Sequence, residues 1–350
     1  MTFVAALVTL VVTILFMLAL RPVALGIGMV DRPGGRKAHQ GEIPIIGGLA
    51  MFIGAIVGIL VLPQMAESVY FLLLAAGLLV VIGLIDDRYA LPATLRLVAQ
   101  LVAILILVYG GGIEMHDIGN PLFIGRISLG PFSLLVTALI FTTVINAYNF
   151  VDGIDGLAGS LAVIALIGVA ATAPLGSDVI SITAILGAAI LGYLLFNFPV
   201  GKDRPYRTFM GDAGSTFIGL TIVWLTVSIC QGPTRTISPV AGLWFAALPL
   251  FDLITCIVRR TLLGKSPFEP GLDHFHHTLH QAGMSERRVV GTLALLQLVY
   301  VVFGIVTHYY AVPEPLVFTA WVITGATQFL VVRACATIYQ RLLRTARTTA

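Results

Sequence analysis

Residues 131–173 read PFSLLVTALIFTTVINAYNFVDGIDGLAGSLAVIALIGVAATA. Two apolar runs, 131–148 and 157–173, each approach the ~20 residues needed to cross a bilayer. Where the first run ends and before the second begins, the ten residues 146–155 hold two amides and two carboxylates: Asn146, Asn149, Asp152 and Asp155. Polar groups placed where a helix leaves lipid are costly to keep and are usually functional. Gly153 and Gly156 let the backbone turn tightly and approach a ligand closely. A plain polar turn between membrane helices would need only one or two such residues.

Working outward from this stretch, the whole chain reads as a membrane protein. Of 350 residues, 58% are hydrophobic and 11% charged, and the mean hydropathy is +1.00. A soluble domain carries roughly 25% charged residues, so this chain lacks the charge to cover a water-facing surface. The expected fold is all-α and polytopic, with about eleven transmembrane helices. The apolar runs are 2–20, 45–63, 68–85, 93–110, 131–148, 157–173, 179–197, 214–230, 239–258, 289–307 and 315–333. They form one integral membrane domain over residues 1–335, followed by a basic cytoplasmic tail over 336–350. No charge precedes the first run and Arg21 follows it, so it reads as a retained helix with its N-terminus outside, not as a secretory signal. Cys230, Cys256 and Cys335 are scattered and imply neither a disulfide framework nor a zinc spacing.

Basic residues stay on the cytoplasmic side. With the N-terminus outside, only Arg126 and Arg235 fall outside, which leaves 18 of the 20 Lys and Arg inside, and the C-terminus is cytoplasmic. Residues 31–48, 86–88, the opening cluster, 202–214 and 259–288 then share the cytoplasmic face. Outside loops such as 110–130, with Glu114, His116, Asp117 and Asn120, show no comparable polar density. Chemistry is therefore expected on the cytoplasmic face, with a soluble substrate. The net charge of +3 comes without a basic run interleaved with aromatics, so no nucleic acid partner is implied.

Four further groups carry chemistry. Asp86-Asp87 could hold a divalent cation, or repel each other and raise one pKa; the alternative is a polar stop after a helix. Asp212, in Phe209-Met-Gly-Asp-Ala-Gly-Ser215, stands at the start of a helix. A helix N-terminus favours phosphate, and a cation bridging carboxylate and phosphate oxygens fits Mg²⁺; the alternative is a helix cap. His274, His276, His277 and His280 match no structural zinc pattern. They could bind pyrophosphate or act as acid and base near neutral pH, unless they are an idle surface run. Arg259, Arg260 and Lys265 suit phosphate or sugar recognition, or a positive-inside anchor. Asp252, inside the ninth run, reads as a buried structural partner for a neighbouring helix.

Taken in order, Asp86-Asp87, Asn146-x-x-Asn149-x-x-Asp152-Gly-x-Asp155-Gly-Leu157, Phe209-Met-Gly-Asp212-x-Gly-Ser215 and His274-x-His276-His277 resemble the polyprenyl-phosphate N-acetylhexosamine-1-phosphate transferase family. The segment from Asp31 through Arg36, Lys37 and His39 to Gly47-Gly48 matches too, as does Arg259-Arg-x-x-x-Gly-Lys265-Ser-Pro-Phe, so the resemblance covers about residues 20–290. Phe275 interrupts the histidine run, which favours the GlcNAc branch over the branch that transfers phospho-MurNAc-pentapeptide.

The resemblance implies an enzyme of the bacterial cytoplasmic (inner) membrane that uses Mg²⁺ or Mn²⁺. It would transfer GlcNAc-1-phosphate from UDP-GlcNAc to undecaprenyl phosphate and release UMP. That is the first lipid-linked step of O-antigen or related cell-envelope glycan synthesis, and homodimers are common in the family. By the same resemblance, Asp212 and Asn149 hold the metal, Asp155 and Phe209 lie near the uracil, and Asp86 and Asp87 receive the lipid phosphate. Arg260, Lys265, His274, His276 and His277 close over sugar and pyrophosphate. Lys37, Asn146 and Asp152 complete the substrate set, the latter two chiefly by supporting the turn. Another UDP-N-acetylhexosamine is the alternative donor. A secondary transporter is the alternative class, although transporters bind near the midplane and these polar groups cluster at one face.

Overall fold

A computed structural model describes residues 1–32, 41–200, 204–232, 235–264, 266, 271 and 274–348. Lys37 and Lys265, both expected at the site, lie outside the described residues. The elements are α1 Thr2–Ile27, β1 Val30–Asp31, β2 Ile43–Pro44, α2 Gly47–Leu60, α3 Glu67–Tyr89 and α4 Ala93–Leu105 with a π-helical turn Ile106–Gly110. They continue with α5 Ser133–Val151, α6 Leu157–Thr172, α7 Asp178–Asn197, α8 Gly211–Cys230 and α9 Pro239–Gly242. A 3-10 turn Leu243–Ala246 leads into α10 Ala247–Leu262, then α11 Phe275–Gln281, α12 Glu286–Tyr309 and α13 Glu314–Thr348.

The all-α membrane expectation holds. Among the described residues, nine helices are long and apolar enough to span, and two shorter apolar helices, α2 and α6, account for the other two of the eleven runs. At ~1.5 Å per residue, their 14 and 16 residues reach about 21 and 24 Å, short of the ~30 Å hydrocarbon core. Both start at the polar end of the bundle, where the chain turns inside the protein. Residues 336–348 continue the helix of α13.

Successive helices alternate in direction. The C-terminal ends of α3, α5, α7 and α10 therefore meet the N-terminal ends of α2, α4, α6, α8 and α12 at one end. Helix α8 is the axis, packed against α2, α3, α5, α6 and α7 and buried over most of its length. At the perimeter, Phe3, Leu7, Leu15, Leu295, Val299 and Leu330 are exposed. Apolar surface of that extent marks contact with a membrane.

Small residues let the helices approach. Thr9 and Thr13 of α1 sit on Gly58 and Gly54 of α2, where a Cβ would collide with either hydroxyl. A Cβ on Gly48 or Gly83 would strike the backbone of Gly214 or Ala213, so α2 and α3 touch the first turn of α8 main chain to main chain. Phe209 N donates to Pro44 O (2.9 Å), Gly47 N to Phe209 O (2.9 Å) and Gly48 N to Met210 O (3.0 Å). The start of α8 is thereby locked to β2 and α2.

The opposite end corrects one expectation, because its loops do carry a dense polar cluster. Asp117 accepts from Gly119 N (2.9 Å) and Arg235 Nη1 (3.0 Å) on one oxygen and from Arg126 on the other. Arg235 also faces Glu314 at 3.6 Å, and Gln231 Nε2 donates to Asp117 O at 2.9 Å. The two basic residues assigned outside are thus both paired. Burial alone would raise the Asp117 carboxyl, but the Arg126 hydrogen bond, the Gly119 amide and the two guanidinium charges hold it below its ordinary 3.8. A carboxylate with a depressed folded pKa stabilises the fold above its unfolded pKa and stops doing so as pH falls through the folded value. Asp117→Asn is therefore expected to lower the thermal midpoint by several degrees at neutral pH. The gap to wild type should persist down to about pH 4 and close below it. A gap that stays constant down to pH 2 would assign the loss to packing instead.

Candidate active site

Helix α3 ends on a left-handed Ala90, and Leu91 N then donates to Asp86 Oδ1. Neighbouring helix residues point about 100° apart, so Asp86 and Asp87 do different work. Asp86 turns toward α4, where Arg96 Nη1 lies 3.2 Å from its Oδ2. Asp87 turns toward α8 and accepts from Asp212 N at 2.9 Å. Gly211 makes this possible: its φ is +69°, and a Cβ there would collide with the Asp87 carboxylate. The other oxygen of Asp87, Oδ2, is buried with no hydrogen-bond partner.

Asp212 opens the first turn of α8, and its Oδ1 accepts from Asn149 Nδ2 at 2.7 Å. The same nitrogen meets Ser215 Oγ at 2.9 Å, which leaves the Asn149 carbonyl oxygen available. Arg96 Nη1 lies 3.5 Å from Asp212 Oδ2, bridging the two carboxylates. Asn146 Nδ2 donates to Gln100 Oε1 (2.9 Å) and Thr142 O (2.8 Å). Asp86, Arg96, Gln100, Asn146, Asn149, Asp212 and Thr216 border a cavity of about 30 Å³. That is room for an ion and little more.

Asp152 caps α5 beside this group. Burial first, then the charges of Asp212, Asp87 and Asp155, push its carboxyl well above the usual range. Among the described residues, Arg96 is the cation paired with Asp86 and Asp212, so negative charge is in excess. The available donors are carboxylate and amide oxygens, one of them the orphaned Asp87 Oδ2. That set fits a hard divalent cation.

Asp155 is placed differently. It is buried, and its Oδ2 takes both Arg204 Nη1 and Arg207 Nη2 at 2.6 Å, while Asn197 Nδ2 lies 3.3 Å from Oδ1. Asn197 Oδ1 in turn accepts from Gly156 N at 2.6 Å. The Arg207 guanidinium sits over the Phe209 ring, 5.0 Å from its centroid. Asp155 and Phe209 do share one patch, with Arg207 between them.

The histidines form a separate wall against the turn after α5. Asp252 receives Phe275 N at 2.7 Å on Oδ1, and His274 Nδ1 lies 2.8 Å from Oδ2. The structural role expected for Asp252 is therefore exerted on α11, whose start it anchors. Phe150 packs against His274 with ring centroids 5.5 Å apart, and His276 and His277 lie 4.1 Å apart. Arg260 is buried at the end of α10. His276 is buried too, with Nε2 unpartnered. Burial, then the charges of His277, His274 and His280, draw it well below the ordinary imidazole value, so it is neutral near pH 7.

His276 Nε2 abuts Gly153, where a Cβ would collide with it. Gly153→Ala is therefore expected to push His276 off the polar turn. A misplacement of ~1 Å can cost on the order of 100-fold in rate. We expect a kcat/KM loss of about tenfold or more in a folded protein, read from initial rates. Wild-type kinetics in this variant would remove His276 from the working wall.

Several site residues were not singled out from the sequence. Arg96 and Gln100 had a signal, being two polar residues one turn apart in the otherwise apolar run 93–110. Arg204 and Arg207 were read only as positive-inside charges. Asn197 gave no signal, as the last residue of an apolar run.

Residues 69–230 match the model of glycosyl transferase family 4. Three relatives carry the name undecaprenyl-phosphate alpha-N-acetylglucosaminyl 1-phosphate transferase. The Haemophilus influenzae protein is 35% identical over 92% of this chain and 89% of its own length. The Escherichia coli K12 protein is 35% identical over 86% and 83%, and the Yersinia pestis protein 35% over 83% and 80%.

Proposed function

The chain belongs to glycosyl transferase family 4, and on that premise we propose that it transfers GlcNAc-1-phosphate from UDP-GlcNAc to undecaprenyl phosphate. UMP is released, and the reaction takes place at the cytoplasmic face of the bacterial inner membrane. The carrying observation is the cavity where Asp86, Asp212 and Asn149 converge at one end of the bundle, with Asp87 bound to the Asp212 amide. Phosphoryl transfer rests mostly on positioning and charge neutralisation, and these residues serve both.

Asp87, Asp212 and Asn149 would hold Mg²⁺ or Mn²⁺, which when bound neutralises pyrophosphate oxygens. Arg96, fixed between Asp86 and Asp212, offers a positive charge to the entering phosphate. An oxygen of the lipid phosphate attacks the β-phosphorus of the nucleotide sugar. The bond from that phosphorus to the bridging oxygen breaks, and UMP leaves with the oxygen. The attacking phosphate is already largely ionised near neutral pH, so a strong general base is hardly needed. In the rival scheme Asp86 or Asp87 attacks first. A sugar phosphate trapped on the protein without lipid would establish that scheme and sink direct transfer.

Purified protein with UDP-GlcNAc, Mg²⁺ and labelled UMP should form labelled UDP-GlcNAc only when undecaprenyl phosphate is present. Radiolabelled donor crossing sealed vesicles with no UMP release would favour a transporter and defeat the enzyme reading. A donor panel on the same preparation separates UDP-GlcNAc from UDP-GalNAc and 6-deoxy sugars.

A further inference from the structure

We propose that Asp252, Cys256 and His274 form a second metal site that takes Zn²⁺, separate from the oxygen-donor cavity of Asp212 and Asn149. Asp252 and Cys256 are four residues apart on α10 and so present their side chains on one face of the helix. His274 comes from the start of α11. One ligand atom from each residue lies within 4.8 Å of the other two, and all three residues are buried. His274 Nδ1 is 2.8 Å from Asp252 Oδ2 and 3.3 Å from Cys256 Sγ. Zn²⁺ takes thiolate, imidazole and carboxylate together, and three protein ligands with one open position are a recurring pattern. Mg²⁺ selects oxygen donors, so the two sites do not compete for one ion.

The proton count favours loading. Without metal, a proton on Nδ1 would have two neighbours to serve, Oδ2 and Sγ. Binding at Nδ1 requires the neutral imidazole to carry its proton on Nε2, and the thiol proton leaves to solvent, a net release of one proton. Carboxylate and thiolate then carry two negative charges against two positive ones. The buried cluster becomes neutral, which a water-poor site favours. Phe275 N already holds Asp252 Oδ1, so the other oxygen is aimed at the cluster, as an outer hydrogen bond orients a metal ligand.

Loading would pin the start of α11 to α10 and fix His274 Nε2 as a donor. The site would thus control the histidine wall; this consequence rests on the proposed transferase function, whereas binding does not.

The test uses purified full-length protein in Mg²⁺ buffer, with Cd²⁺ as the spectroscopic probe. The ultraviolet thiolate-to-Cd²⁺ band should saturate at one ion per chain. It should survive Cys230→Ser with Cys335→Ser and vanish in Cys256→Ser. Independently, Zn²⁺ but not Mg²⁺ should slow alkylation of Cys256, followed by mass spectrometry on the wild type, so the test holds even if a variant misfolds. A band that survives in folded Cys256→Ser, or alkylation indifferent to Zn²⁺, overturns the site. Turnover at saturating Mg²⁺ should fall several-fold once the site is loaded. Unchanged turnover in a loaded enzyme overturns its control of the histidine wall, and neither binding readout needs the enzyme to turn over.

Discussion

Asp212→Asn is expected to cut turnover by about a thousandfold or more while leaving the protein folded. Asparagine keeps the shape of the side chain and an oxygen that can accept from Asn149, so the 2.7 Å bond has a substitute. What disappears is a negative charge from a cluster that already holds more of them than Arg96 can offset. Removing surplus buried charge does not unfold a protein, so the thermal midpoint should be unchanged or higher. The variant should also lose the stabilisation that Mg²⁺ gives the wild type, because a ligand stabilises only the state that binds it. Turnover within tenfold of wild type, or an intact Mg²⁺ shift, would remove Asp212 from the cation site.

Asp155→Asn is expected to act first on stability. Breaking a buried ion pair by removing one partner costs about 3–5 kcal/mol, and here one carboxylate serves both Arg204 and Arg207. Those arginines join the turn after α5 to the segment entering α8. Losing the clamp should therefore loosen the two stretches that carry Asn149 and Asp212. Thermal unfolding of the variant should show a large fall in midpoint, with activity lost in parallel on warming. A variant of normal stability whose defect is confined to a raised KM for the nucleotide sugar would mean that Asp155 reads the base instead.

Most of the fold was legible because lipid imposes a length on every helix that crosses it. The departures, α2 and α6, are short where the chain turns within protein at the polar end. Of the candidate site, Asp86, Asp87, Asn146, Asn149 and Asp212 were legible because each is a polar group at the end of an apolar run, and the histidines because four of them crowd one loop. Arg96, Arg204 and Arg207 were hidden by a rule that explains any inside arginine as an anchor. Partners far apart in the chain were hidden altogether. Asp117 meets Arg235 across 118 residues, and nothing local marks either as half of a pair.

The glycine contacts around the first turn of α8 divide the molecule into a stiff part and an adjustable one. Gly48, Gly83 and Gly211 leave no space for side chains between the helices that carry the carboxylates, so even a methyl group there would dislocate several of them together. Helix α11 is only seven residues long and is anchored at its start through Asp252. Exchanging the short histidine-bearing segment should therefore disturb the carboxylates far less than any change in the glycine collar.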